Sequence, residues 1–175
     1  MGRLHRLPKY DYSQAGYYFL TFCTKDRSCI LSSILSPSAG RGILDAPILQ
    51  LTAYGLQVES ALCFLDEHLP YLRVDSYVIM PNHVHMIVQI IQHVEGGASG
   101  KPRPAKKGCP ADADIPKLIS SLKRYTNRSC GTDLWQDGFH DHVIRNEADY
   151  LRIWAYIDQN PAKWREDCYY EEGNL

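Results

Sequence analysis

Val74-Asp75-Ser76-Tyr77-Val78-Ile79-Met80 and His83-Val84-His85-Met86-Ile87-Val88-Gln89-Ile90 are two runs rich in apolar and β-branched residues, separated by Pro81-Asn82 alone. That break suits a tight turn, because proline presets its own φ and asparagine tolerates a left-handed backbone, so the pair reads as a β-hairpin. Upstream, Tyr17-Tyr18-Phe19-Leu20-Thr21-Phe22-Cys23-Thr24 opens after Gly16 and closes at Lys25-Asp26-Arg27, and its aromatic and β-branched content predicts a buried strand. Residues 30–50 hold Pro37, Gly40, Gly42 and Pro47 and read as loop. Thr52 then caps a helix whose apolar stripe is Leu56, Ala61, Leu62 and Leu65, ending near His68 ahead of Pro70. Downstream, residues 92–116 shift to Gly, Pro, Ala and Lys and read as a flexible surface insertion. Helices are expected at about 116–130 and 147–160, with a short strand at about 140–145 between them. The order strand, helix, hairpin, helix, strand, helix predicts an α+β fold: a ferredoxin-like (RRM-like) antiparallel sheet, helices packed on it, and a further C-terminal helix.

A chain of 175 residues, 45% hydrophobic and 22% charged, has room for one core of ordinary size, so residues 1–175 count as a single domain. Arg3, His5 and Arg6 are not followed by an apolar h-region, and no stretch is long and apolar enough to span a bilayer, which argues against a membrane partner and for the cytoplasm. A net charge of −1 excludes a uniformly basic surface, so contact with nucleic acid must come from a local patch. The six cysteines, Cys23, Cys29, Cys63, Cys109, Cys130 and Cys168, are scattered without a Cys-x-x-Cys pair and are expected to be free thiols.

Three constellations carry chemistry. In a strand, residues two apart project from one face about 7 Å apart, so His83 and His85 can reach one divalent ion while Val84, Met86 and Val88 point into a core. A bare His-x-His more often decorates a half-exposed strand, and His140-Asp141-His142 is a second such pair. In the terminal helix, Asn146 is the expected cap and Tyr150, Ile153, Trp154 and Ile157 form the apolar face. Tyr156 falls off that stripe, beside Arg152 and Asn160 one turn away, and is a candidate reagent unless it is an incidental surface tyrosine. In the helix before it, Lys117, Ser121, Arg124 and Arg128 line up opposite Leu118, Leu122 and Tyr125, with Lys123 beside them. Such a face can bind phosphates, although many charged helix faces are merely solvated. Lys101, Arg103, Lys106 and Lys107 in the preceding segment add four positive charges.

Val78-Ile79-Met80-Pro81-Asn82-His83-Val84-His85-Met86-Ile87-Val88 closely resembles the signature of the HUH-type transposases of the insertion-sequence (IS200-like) and REP-associated tyrosine transposase group. The likeness extends to residues 16–21, to Trp135-Gln136-Asp137-Gly138-Phe139, to His142-Val143-Ile144-Arg145-Asn146-Glu147, and to Tyr156-Ile157-Asp158-Gln159-Asn160-Pro161 with Trp164. The resemblance implies that His83, His85 and Asn160 bind a divalent metal ion, Mg2+ or Mn2+, and that Tyr156 is the nucleophile. It further implies that single-stranded DNA hairpins or palindromic repeats are nicked and rejoined through a 5′-phosphotyrosine intermediate. On this reading Lys117, Lys123, Arg124 and Arg128 track DNA phosphates, and the histidines at 140 and 142 are structural or touch DNA. The family includes dimers that share active sites between chains as well as monomers, so a homodimer stays open.

A phenol with a pKa of about 10 is ionised in only about one molecule in a thousand at neutral pH, so something must take the proton, and the sequence singles out no base. Two other readings compete: a catalytically silent, RRM-like single-strand binder, and a metal-dependent phosphohydrolase that uses water. Both would leave Tyr156 dispensable.

Overall fold

The computed structural model describes residues 12, 14–35, 47–91 and 114–170. In chain order the elements are β1 (Gly16–Cys23), a 3-10 turn (Lys25–Arg27), β2 (Ser32–Leu35), β3 (Ile48–Leu51), α1 (Ala53–His68), β4 (Leu72–Ile79), β5 (His83–Ile90), α2 (Asp114–Cys130), β6 (His140–Ile144), α3 (Glu147–Gln159) and a closing 3-10 segment (Asn160–Glu166). Four strands pair antiparallel in the order β4-β5-β1-β6. With α1 and α2 crossing between strands, this is the ferredoxin-like arrangement expected from the sequence, and α3 is the addition to it.

The period-2 alternation of the strands divides the core in two. Tyr18, Leu20 and Phe22 of β1, with Val84, Met86 and Val88 of β5, face Val58, Leu62, Ile115, Ile119 and Leu122 of α1 and α2. On the opposite face Val78, Ile87 and Ile144 meet Ile153 and Ile157 of α3 and Trp164 beyond it. The residues that remain on that second face, between α3 and the sheet, include Thr21, His83 and His85.

Both expected caps form: the Thr52 side chain accepts from Gly55 N–H and that of Asn146 from Asp149 N–H. Thr52 Oγ1 also lies 2.6 Å from the Ile30 carbonyl and 3.0 Å from that of Leu31, which pins the start of α1 to the preceding chain. Gly55 makes that approach possible, since a Cβ there would stand 2.1 Å from the Leu31 carbonyl oxygen.

Several expectations are corrected. Within the presumed loop at 30–50, β2 and β3 pair as a small antiparallel ribbon, with Ile34 and Leu49 packed on the second core; local punctuation does not reveal a pairing made across the chain. Asn82 is not left-handed, because positive φ among described non-glycine residues occurs only at Asp26 and Arg27; its amide is instead buried in hydrogen bonds. Leu56, Tyr125 and Trp154 lie on their helices' outer flanks, exposed, while Val58, Ile115 and Ile119 take the inward positions. α2 opens at Asp114, two residues before the expected start, with Pro116 in its first turn where a missing N–H costs nothing. The start at Arg3, His5 and Arg6, the residues Pro37, Gly40 and Gly42, Cys109, and Lys101, Arg103, Lys106 and Lys107 in the 92–116 segment lie outside the described residues. No disulfide joins the described cysteines.

Candidate active site

His83 and His85 leave β5 on the same face, their ring centroids 4.4 Å apart, and both are fully buried rather than decorating a surface. Their outward nitrogens are set by partners behind them. Asn82 Nδ2 donates to the Tyr169 carbonyl, so its Oδ1 faces His83 Nδ1 at 2.8 Å and must accept the proton from that nitrogen. His83 Nε2 then carries a lone pair, and it has no hydrogen-bond partner. His85 Nδ1 lies 2.6 Å from Thr21 Oγ1 on β1, which orients the second ring in the same manner. Burial, with the neighbouring His85, holds His83 well below its ordinary 6.5, and burial lowers His85 as well. Both rings are therefore neutral near pH 7, the state that can ligate a cation.

α3 delivers Tyr156 to this pair. Its hydroxyl donates to Asp167 Oδ2 at 2.9 Å and stands 3.2 Å from His85 Nε2, with the ring edge-on to Phe19 and His85. Tyr156 is 40% exposed and lines a cleft of about 230 Å³ with Gln159, Asn160, Lys163, Glu166 and Asp167. Burial, then the charge and hydrogen bond of Asp167, push its phenol well above 10. Asn160 ends α3, and instead of sharing an open polar face with Tyr156 it is buried: Nδ2 donates to Asp167 Oδ2 at 2.7 Å and Oδ1 has no partner. Thus the two buried polar atoms on the implied ligands His83 and Asn160 that lack partners are both acceptors, as a cation site requires.

The sequence reading missed Asp167, which ends the closing 3-10 segment. Its Oδ1 accepts from Tyr169 N–H at 2.7 Å, and Oδ2 lies 3.9 Å from His85 Nε2. Burial alone would raise this carboxyl, but the His85 ring, the Tyr169 N–H and the Asn160 amide outweigh it and hold Asp167 well below the usual carboxylate range. The ligand atoms of His83, His85 and Asp167 all lie within 4.8 Å of one another. Tyr169, also missed, covers the His83 ring at 4.6 Å and is itself capped by the Arg27 guanidinium, whose residue adopts φ 52°. Only the chemical type of Asp167 signalled it beforehand.

The second His-x-His pair does not form a comparable cluster. His142 Nε2 pairs with Asp149 Oδ2 at 2.7 Å, and Arg152 binds the other oxygen at 2.6 Å, which ties β6 to the first turns of α3. The α2 cations lie on the far side of the sheet from His83 and His85. Lys117, Arg124 and Arg128 are exposed there, and Lys117 and Arg124, but not Arg128, line a cleft of about 700 Å³ between α2 and residues 133–139. Lys123 is different: its ammonium donates to the Gln136 carbonyl at 2.8 Å and to that of Gly138, and burial lowers it to about 8.

No family model matches the chain. An uncharacterized protein of Haemophilus influenzae is 30% identical over 173 residues, covering 94% of this chain and 91% of that protein. A putative REP-associated tyrosine transposase of the same species is 25% identical over 153 residues, 87% of this chain and 74% of its own length. A REP-associated tyrosine transposase of Escherichia coli K12 is 26% identical over 91 residues, 51% of this chain and 44% of its own. Among solved structures, a REP-associated tyrosine transposase bound to a REP hairpin aligns with TM-score 0.60 over 91% of this chain and 73% of that one, at 20% identity, which shows the shared fold.

Proposed function

We propose that the chain, a member of the REP-associated tyrosine transposase family, nicks and rejoins single-stranded DNA at hairpin-forming repeats through a covalent bond to Tyr156. The observation that carries this reading is the Tyr156 hydroxyl, 3.2 Å from Nε2 of His85 in a buried, neutral histidine pair, on a side chain that is otherwise partly exposed. His83, His85 and Asn160 would hold a divalent ion, Mg2+ or Mn2+ by family and also compatible with zinc by ligand type, and their unpartnered acceptor atoms fit that role. When bound, such an ion supplies positive charge to the non-bridging oxygens of a phosphodiester.

The chain's own groups do the rest. Asp167 Oδ2 holds the phenolic proton, which leaves the Tyr156 oxygen's lone pairs to approach phosphorus in line. The Tyr156 oxygen–phosphorus bond forms as the bond to the 3′ oxygen breaks; the phenol gives up its proton and the departing 3′ oxygen takes one up to leave as a hydroxyl, so protons balance, and the reverse reaction rejoins the strand without a nucleotide cofactor. Lys163, the cation lining the nucleophile's cleft, bonds only the neutral Gln159 amide among the described residues and can face an entering phosphate. Lys117, Arg124 and Arg128 would bind backbone phosphates of the hairpin, and Lys123 adds charge from below while bracing residues 136–138.

The test is denaturing electrophoresis after mixing the protein with labelled single-stranded hairpin DNA from the flanks of its own gene and manganese. A metal-dependent protein–DNA adduct in the wild type that is absent in Tyr156→Phe is the expected result. Cleavage without an adduct would make the protein a hydrolase, and retarded but intact DNA would make it a binding module.

A further inference from the structure

Asp167 is an unusual place to keep a charge. Its side chain is 1% exposed, and among the described residues its sole ion-pair neighbour is the His85 ring, 3.9 Å away. The hydrogen bonds it accepts come from Tyr156, Asn160 and the Tyr169 backbone, all uncharged donors. A buried carboxylate without a compensating charge is expensive, and a fold retains one where a cation enters or where the group has another task.

The coordination chemistry points the same way. Two imidazoles and a carboxamide form a neutral set, which suits softer ions such as zinc; hard ions such as Mg2+ and Mn2+ favour oxygen donors and above all carboxylates. On the reading of the metal site given above, we propose that Asp167 is a direct ligand of the divalent ion, completing a set with His83 and His85 whose ligand atoms already lie within 4.8 Å of one another. Asp167 then links the ion to the nucleophile, since the same carboxylate holds the Tyr156 hydroxyl.

The experiment is titration calorimetry of the DNA-free full chain with Mn2+ and separately with Zn2+, for the wild type, Asp167→Asn, Asp167→Glu and His85→Ala. Asp167→Asn is expected to weaken both Mn2+ and Zn2+ by about tenfold or more, whereas Asp167→Glu retains Mn2+ binding. Unfolding in EDTA reports whether each variant is folded, and Asp167→Glu keeps the question answerable if Asp167→Asn is not. Unchanged Mn2+ affinity in Asp167→Asn overturns the inference alone, as does a loss in Asp167→Glu as large as in Asp167→Asn while both variants stay folded, which marks a structural prop. If the wild type binds no Mn2+ and matches His85→Ala, the metal site itself falls and this inference with it.

Discussion

Lowering the pH of the metal-free protein should destabilise it through the histidine pair. His83 and His85 are kept below 6.5 in the fold, chiefly by burial, whereas the unfolded chain takes up protons on both near that value. Below 6.5 the unfolded state therefore binds more protons, and stability falls as pH falls. One pH unit below 6.5, each imidazole that stays neutral in the fold costs about 1.4 kcal/mol, so the pair costs roughly 1.4–2.7 kcal/mol at about pH 5.5 relative to pH 7.5. The lower figure allows for His85, where the Asp167 charge offsets part of the effect of burial. Asp167 acts in another window: its lowered carboxyl contributes stability above about 3.8, which is lost only as pH falls further. The assay is urea unfolding in EDTA at both pH values, followed by fluorescence of the buried Trp135 and Trp164, with a His83→Gln, His85→Gln double variant alongside to cancel every other group. If wild type and double variant lose the same stability between the two pH values, the account of a buried, neutral pair is wrong.

Other outcomes follow from single contacts. Gly55→Ala gains helix propensity but drives a Cβ into the Leu31 carbonyl, so a net loss of about 1–3 kcal/mol is expected in thermal or urea unfolding. Asn146→Ala removes the cap of α3 and should cost about 1 kcal/mol, with slower adduct formation because that helix carries Tyr156. Replacing Lys117, Arg124 and Arg128 together by alanine should reduce the slope of log affinity for hairpin DNA against log salt by about two to three, with little change in thermal stability. An unchanged slope would place the DNA elsewhere on the surface.

Much of this protein is written locally. Alternation along residues 17–23 and 83–90 assigns each side chain to one sheet face, and the caps at Thr52 and Asn146 mark where helices begin. The spacing of His83 with His85, and of Tyr156 with Asn160, is likewise a property of one strand and one helix end, while the roles proposed for those four residues came from the family resemblance. What closes the site is not local. Thr21 reaches His85 across 64 positions and Asn82 reaches Tyr169 across 87, and no periodicity carries such pairs. Asp167 follows a 3-10 segment with no pattern of its own, and Lys123 reads as one more surface cation until residues 136–138 fold onto it. The sequence by itself determined the four strands of the main sheet and the three helices, because hydrophobic period and capping act within a few residues. Only the tertiary structure decided which polar groups surround the site residues, because a buried charge or lone pair finds its partners through packing between elements far apart in the chain.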